Sequence, residues 1–300
     1  MNRLIELCQI VGKRVPIWTQ GLGGNISYKD GSILWVKASG YRLDAVSSNI
    51  GLAQVNIDRF KDWFFRQEVN EESYSQGIEQ STLPLKNGDF LRPSMETGFH
   101  VVLKSTYVIH FHSVIALLMA HEYRLNCSRV SDWFAENGFG SQVEWLDSIR
   151  PGLLLAKEIH RRSNASVWIL RNHGILLATE NPDLLERWQN FEAQFAFSFG
   201  YAEMAELCMS HQPLILAKSL VKDVKLETVK LYFPDTAVFL LELSEALDGK
   251  RPWTENLREI WLATLLLYKS CPELEELPLS ITSSVRGLPT EKYRLKSGDL

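Results

Sequence analysis

A period of two in the apolar residues predicts a β-hairpin close to the start of the chain. Ile26 and Tyr28, and then Ile33 and Trp35, alternate with polar or small residues on either side of Asp30-Gly31. An Asp-Gly pair between two alternating runs is typical of a tight turn between antiparallel strands. We therefore expect two paired strands here.

Two later segments are rich in β-branched and aromatic residues and also predict strands. The first, TYVIHFHSV (106–114), is expected to form one strand, followed by a helix over VIALLMAHE (114–122). The second, SVWILRNHGILLATE (166–180), is expected to form two short strands that flank Asn172-His173-Gly174. These segments would extend the sheet that the hairpin begins.

Apolar residues at helical spacing predict helices between the strands. Asn-Pro-Asp at 181–183 is a typical helix start, and we expect this helix to continue to about residue 208. Further helices are expected over 1–15 (MNRLIELCQIVGKRV), after Pro93, and over 152–164 (GLLLAKEIHRRSN). Residues 66–90 contain many Glu, Ser, Asn and Gly residues and are expected to form a surface insertion or mobile loop.

The sequence His211-Gln212-Pro213 interrupts the helical pattern and suggests a boundary. We expect a main domain over 1–212 and a C-terminal α/β extension over 213–300 that packs on it. In the extension, AVFLLEL (237–243) predicts a strand and TENLREIWLATLLLYKSC (254–271) a strongly apolar helix. The order of elements predicts an α/β sandwich whose sheet is at least partly antiparallel.

Composition narrows the classes of partner. With 300 residues, 45% of them hydrophobic, the chain is able to bury a sizeable core, and its net charge of −4 gives no reason to expect nucleic acid. No uninterrupted apolar stretch is long enough to span a bilayer, so we expect no membrane association. The four cysteines are scattered, and free thiols in a cytoplasmic protein are the expected state.

Three histidines and one glutamate suggest a metal site. His110 and His112 lie two apart in a predicted strand, so their rings project from one face about 7 Å apart. They could belong to the polar face of a half-exposed strand, but their apolar neighbours imply burial, which favours a metal-ligand role. His173 lies in a turn, where functional side chains are common, and Glu96 either stabilises a helix start or joins this site.

Three neutral imidazoles and one carboxylate are the ligand set expected of a catalytic zinc site with room for a substrate. His100 follows Glu96 by one helical turn. It could be a core histidine or a group that supports the site, and we favour the core interpretation.

Five motifs in order, GLGGNIS, VKASG, RPSMETGFH, HFH and RNHGIL, resemble the class II aldolase/adducin family. The resemblance covers roughly residues 1–210, and YFPDTAVFL resembles the tail of a longer branch of the same family. It implies a three-layer α/β/α sandwich with a largely antiparallel central sheet. It also implies a homo-oligomer, usually a tetramer, with sites near subunit interfaces.

The resemblance also implies roles for individual residues. Zinc, or another divalent metal, would be held by His110, His112 and His173, and Glu96 would serve as the general base. By motif, the backbone amides and small side chains of a phosphate pocket would come from Gly24, Asn25, Ser39, Gly40 and Ser94.

Two departures from the family pattern concern the substrate and the acid. Met95 occupies a position where the phosphate aldolases commonly have a second serine; Lys37 and Arg92 could supply positive charge instead. Several family aldolases use a tyrosine as the acid, but no tyrosine occurs in NCSRVSDWF, where the pattern would place it. By residue type alone the candidates are Tyr123, Tyr201, Tyr293 and Asp132, and none is assigned.

We expect a metal-dependent aldolase that cleaves a ketose phosphate or related hydroxy-keto compound through a zinc-stabilised enediolate. An epimerase, dehydratase or decarboxylase on the same scaffold is the alternative within the enzymes. A non-catalytic, adducin-like interaction module is the alternative of another class. The expected partner of the enzyme is a small-molecule sugar or sugar-phosphate substrate.

Overall fold

Eight strands form a single sheet in the part of the chain that the computed structural model describes, which is residues 1–66, 70–85 and 88–286. The strands are β1 (Asn25–Asp30), β2 (Ile33–Lys37), β3 (Leu52–Asn56), β4 (Thr82–Leu83), β5 (Tyr107–Phe111), β6 (Val143–Leu146), β7 (Val167–Leu170) and β8 (Gly174–Thr179). Their order across the sheet is β4-β3-β2-β1-β5-β8-β7-β6, and among these neighbours only β6 and β7 are parallel.

The described residues also form fourteen α-helices and one short 3-10 helix, Gly140–Gln142. The α-helices are α1 (Asn2–Gly12), α2 (Ile57–Phe64), α3 (Glu71–Ser81), α4 (Thr97–Val102), α5 (Val114–Leu125), α6 (Cys127–Glu136), α7 (Leu153–Arg161), α8 (Leu184–Ser198), α9 (Ala202–Met209), α10 (Pro213–Leu220), α11 (Pro234–Val238), α12 (Leu240–Leu247), α13 (Glu255–Ser270) and α14 (Leu279–Arg286). None of them combines the length and apolarity needed to cross a membrane.

The sheet separates two hydrophobic clusters, because successive strand residues face opposite sides. Ile109 of β5 belongs to the cluster that also holds residues of α1, α5, α8 and α13, whereas Val108 belongs to the cluster with residues of α2, α3, α4 and α7. Helices therefore cover both faces. This arrangement confirms the expected three-layer α/β/α sandwich with a largely antiparallel sheet.

Most of the elements predicted from the hydrophobic pattern are present. The hairpin is confirmed as β1 and β2, and the strand–helix unit over 106–122 as β5 and α5. The two strands around His173 are β7 and β8, and α1, α7 and α13 lie where helices were expected. The four cysteines, all within the described residues, form no disulfide.

The prediction of one long helix over 182–208 is wrong, because this stretch is divided into α8 and α9. Gly200 has φ +89°, and the amide of Tyr201 donates to the carbonyl of Ala196 at 2.7 Å. A glycine in the left-handed region, followed by a backbone bond to a carbonyl in the last helical turn, is a common way to end a helix.

The prediction of a loop over 66–90 is also wrong for the central part of this segment, which forms α3 and β4. Asn70 accepts a hydrogen bond from the amide of Ser73, whose hydroxyl accepts one from the amide of Asn70, so the polar residues cap a helix. Tyr74 and Ile78, one turn apart, are buried on one side of that helix. Residues 67–69 and 86–87 lie outside the described part.

The strand expected over 237–243 is wrong as well. Pro234 occupies the first turn of α11, and α12 follows almost directly, so this stretch is helical, with Val238 and Leu243 buried and Leu241 52% exposed. All the regular elements described between residues 213 and 286 are helices. Their core residues Ile260 and Leu266 join the same cluster as Leu4 and Leu7 of α1. The boundary after 212 stays a prediction, and the polar tail after 286 lies outside the described part.

Candidate metal centre and substrate pocket

His110, His112 and His173 converge at one end of the central strands. Strand β5 carries His110 and leads into His112, and it pairs with β8 so that Phe111 lies opposite Ile175. One ligand nitrogen from each of the three histidines lies within 4.8 Å of the other two. All three side chains are buried. The structure therefore brings together the three histidines that were predicted as metal ligands.

The turn before β8 places His173. Its amide donates to the carbonyl of Leu170 at 3.0 Å, and Asn172 has φ +56°, a left-handed conformation that asparagine tolerates better than most residues. At Gly174 a Cβ atom would lie 2.8 Å from Cα of His112. Because glycine has no Cβ, the turn can approach the end of β5 closely enough for the rings to meet.

Hydrogen bonds at Nδ1 orient two of the rings. Nδ1 of His110 lies 2.8 Å from the carbonyl oxygen of Ile175, which can only accept, so Nδ1 must donate. The lone pair of His110 is then on Nε2, which is buried and has no hydrogen-bond partner among the described residues. Nδ1 of His112 lies 2.5 Å from Oδ2 of Asp235, a residue that the sequence analysis did not single out. A buried nitrogen lone pair that faces two other imidazoles suits a metal ion.

Glu96, at the start of α4, faces the histidines. Oε1 lies 3.1 Å from Nε2 of His173, and Oε2 lies 3.6 Å from Nε2 of His110. Burial by itself raises the pKa of Glu96, but attraction to His110, His173 and His112 outweighs this effect and holds the pKa well below its usual range. Burial, as the largest cause, lowers the pKa of His110 to about 3. Burial therefore favours the neutral form of the His110 imidazole.

His100 is fully buried but does not pack as an apolar residue. Its Nδ1 lies 2.7 Å from Oγ of Ser27, and its Nε2 forms a hydrogen bond with Oδ1 of Asn25. Asn25 in turn donates through Nδ2 to Oε2 of Glu96 at 2.7 Å. His100, Asn25 and Glu96 thus form a continuous hydrogen-bonded chain, which favours the supporting interpretation of His100 over the core interpretation.

A single pocket contains all five residues predicted for substrate binding. It is lined by Gly24, Asn25, Ser39, Gly40 and Ser94 together with Glu96, His112 and His173. Met95 and Lys37 also line it, and so do Pro234 and Val285 of the C-terminal helices. The loops that the sequence predicted as a phosphate pocket therefore open beside the histidine cluster.

Lys37, one of the two positive charges beside the pocket, is used within the protein. Nζ of Lys37 donates to the carbonyls of Leu22 and Gly24, at 2.8 and 2.9 Å, and so holds the glycine-rich loop in place. Arg92 lines a neighbouring pocket, and its carbonyl accepts from the amide of Ser39 at 2.8 Å.

None of the candidate acids within the described residues lies in the pocket. Tyr123 stacks on Trp145, the hydroxyl of Tyr201 donates to Glu122 at 2.7 Å, and Asp132 is exposed on α6. Tyr293 lies outside the described residues. Among the residues that the structure describes, no tyrosine lines the pocket.

Comparisons with known proteins agree with this architecture. Residues 2–190 match the family model described as the class II aldolase and adducin N-terminal domain. An uncharacterized oxidoreductase, YuxG of Bacillus subtilis strain 168, is 22% identical over 196 residues, which are 61% of this chain and 27% of that protein. The chain thus corresponds to little more than a quarter of that relative's length.

Several solved structures also resemble the chain. The N-terminal class II aldolase domain of a conserved Thermoplasma acidophilum protein has a TM-score of 0.49 at 24% identity, covering 63% of this chain and 91% of its own. YgbL of Klebsiella pneumoniae, a putative aldolase/epimerase/decarboxylase, has a TM-score of 0.48 at 17% identity, covering 66% and 87%. An L-fuculose 1-phosphate aldolase has a TM-score of 0.45 at 17% identity, covering 69% and 92%.

Proposed function

The chain belongs to the class II aldolase and adducin N-terminal domain family, and from that premise we propose that it is a metal-dependent carbon–carbon lyase. Its substrate would be a ketose phosphate or a related hydroxy-keto compound. The observation that carries the proposal is the buried cluster of His110, His112 and His173. One ligand nitrogen of each lies within 4.8 Å of the other two, and the Glu96 carboxylate faces them.

The donor set fits zinc or another divalent metal. Three imidazole nitrogens and a carboxylate oxygen are the ligands that such ions take in catalytic sites. The buried Nε2 of His110, without a partner among the described residues, is the kind of atom that a metal would satisfy. A bound metal would polarise the substrate carbonyl and stabilise the negative charge that develops there.

Glu96 is the general base in this proposal. Its carboxylate is ionised, because the low pKa places it in the charged form at neutral pH. Asn25 holds Oε2, whereas Oε1 faces the histidine cluster, 3.1 Å from Nε2 of His173. Oε1 is therefore the atom suited to take a proton from substrate carbon and to return it.

The anion pocket is proposed from three loops. Gly24 and Gly40, with φ +75° and +84°, adopt the left-handed backbone conformation and line the pocket, where their backbone amides would bind a phosphate. Oγ of Ser94 accepts from the Glu96 amide at 3.2 Å, and its hydrogen can donate to an anion. Ser39 offers a second hydroxyl, whereas Met95 brings a thioether into the same pocket.

An epimerase, dehydratase or decarboxylase would use the same metal and base and would differ in its acid. The absence of a tyrosine from the described pocket lining leaves these reactions as the second candidate. An adducin-like module without activity is disfavoured because all three histidines and Glu96 are retained in ligand geometry. The homotetramer and the cytoplasmic location are proposed from the resemblance and the composition alone.

Metal analysis and proton exchange test this proposal together. The protein, stripped with a chelator and reloaded with zinc, cobalt or manganese, is incubated in D2O with dihydroxyacetone phosphate and, separately, with ketose 1-phosphates. We expect about one metal per chain, and metal-dependent deuterium incorporation or cleavage. A protein that holds no metal even after reloading would contradict the enzyme proposal, and equal turnover of phosphorylated and free sugars would contradict the anion pocket.

A further inference from the structure

Asp235 is a fully buried carboxylate in the first turn of α11, where it meets the histidine cluster. Its Oδ2 lies 2.5 Å from Nδ1 of His112, from which it is separated by 123 positions in the chain. A buried carboxylate is costly unless hydrogen bonds or opposite charge compensate it, so the position of Asp235 calls for a specific reason.

The contact with Asp235 decides which nitrogen of His112 is available. A carboxylate oxygen accepts, so Nδ1 donates and the lone pair of the neutral ring is on Nε2. His110 reaches the same state through the carbonyl of Ile175. The two neighbouring rings are thus fixed in the same tautomer by different partners, one from the sheet and one from the C-terminal helices.

We propose that Asp235 is a positioning residue for the metal ligand His112 and that the C-terminal helices are an integral part of the metal site. The inference rests on the metal site proposed above. A carboxylate that accepts from the second nitrogen of a ligating histidine fixes the orientation of the ring and strengthens it as a ligand. Asp235 lies outside residues 2–190, which match the family model.

The surroundings of this pair leave little space for it to move. A Cβ atom on Gly23 would lie 2.7 Å from Nδ1 of His112 and 3.1 Å from Oδ2 of Asp235. The backbone of the glycine-rich loop therefore packs directly against the hydrogen bond. This close fit is expected of a pair whose orientation matters.

Four further contacts tie the C-terminal segment over 213–286 to loops of the site. Glu259 of α13 accepts from the amide of Gly21 at 2.7 Å and from the guanidinium of Arg42 at 2.9 Å. Nδ2 of Asn172, the neighbour of His173, donates to the carbonyls of Tyr232 and Glu275, at 3.2 and 2.8 Å. Together with Asp235, these contacts reach the glycine-rich loop and two of the three histidines.

The test compares Asp235→Asn and Asp235→Ala with the wild type and with Asp248→Asn. Asp248 is exposed and pairs with Lys250 at 2.7 Å, so its variant removes a carboxylate from the same segment without touching the site. Zinc affinity is measured by chelator competition, the visible spectrum of the cobalt-loaded protein reports ligand geometry, and thermal unfolding of the metal-free protein reports stability.

We expect Asp235→Ala to weaken zinc binding about 10- to 100-fold and to change the cobalt spectrum. Asp235→Asn should lose less, because its amide oxygen can still accept from Nδ1, and Asp248→Asn should match the wild type. If Asp235→Ala does not fold, the near-isosteric Asp235→Asn decides, with weaker zinc binding expected.

Wild-type zinc affinity and cobalt spectrum in folded Asp235 variants would overturn the inference, even if their thermal stability fell, since that result describes a structural role alone. If the wild type itself bound no metal, the proposed function would fail and the inference with it. The two failures are therefore distinguishable.

Discussion

Oε1 of Glu96 lies 3.1 Å from Nε2 of His173, which places a carboxylate against the nitrogen of a proposed metal ligand. Asn25 holds the other carboxylate oxygen, Oε2, at 2.7 Å. One oxygen is thus fixed by the protein, and the other is directed towards the histidine cluster. This division suits a residue that stays in place while one of its oxygens exchanges protons.

Replacing Glu96 by Gln should abolish most proton exchange while the protein still binds metal. The amide cannot accept a proton from carbon at neutral pH, and loss of a general base typically costs 10²- to 10⁴-fold in rate. Deuterium incorporation from D2O into the substrate, followed by NMR or mass spectrometry, measures the effect. Exchange at the wild-type rate in Glu96→Gln would show that another group is the base.

Replacing His110 or His173 by Ala should remove the metal rather than the base. Each change deletes one of three nitrogen donors in a buried site, so zinc content after dialysis should fall from about one per chain towards zero. His211, which is exposed, provides the control, and His211→Ala should keep its zinc. Full zinc occupancy in both single variants would mean that the cluster is not the metal site.

The sequence predicted the three residues of the histidine cluster, because its signals are local. His110 and His112 follow the two-residue period of β5, and His173 occupies a turn between two strands. Asp235 has no such signal. It reaches His112 only through tertiary packing, and the segment after it was interpreted as a strand because its apolar residues suit either a strand or a buried helix.

Other misses have the same origin. His100 lies four positions after Glu96, so the sequence does show that they share a helix face, but its partners Ser27 and Asn25 are on β1. Which residues of β1 would face α4 depends on sheet register, which a single sequence does not specify. The miss at residues 70–73 has a local origin instead: their polar side chains predict a loop, but Asn and Ser at that spacing also begin helices.

The metal-free protein should lose stability as the pH falls below about 6.5. Burial, the largest cause in both cases, lowers the pKa of His100 well below 6.5 and that of His110 to about 3. Between the folded and unfolded pKa values the unfolded chain binds more protons, so the free energy of unfolding decreases with falling pH. Each such histidine contributes up to about 1.4 kcal/mol per pH unit.

Urea unfolding of chelator-treated protein between about pH 8 and pH 5 measures this dependence. His100→Gln removes one buried imidazole and keeps a hydrogen-bonding side chain, so its stability should depend less steeply on pH than that of the wild type. A free energy of unfolding that stays constant from pH 7 to pH 5, or an equal slope in the variant, would contradict the prediction.

Replacing Gly23 by Ala should weaken metal binding without any change to a ligand. The added Cβ would lie 2.7 Å from Nδ1 of His112, so the ring, Asp235 or the loop must move. Such overpacking typically costs about 1–3 kcal/mol, and the displaced ring should also bind zinc less tightly. Chelator competition and thermal unfolding measure the two effects.

Gly77→Ala on α3 is the control. Its added Cβ would have only atoms of the Trp63 side chain as its nearest neighbours, so it should leave zinc affinity unchanged. Equal zinc affinity in Gly23→Ala and Gly77→Ala would show that the glycine-rich loop does not confine the His112 ring.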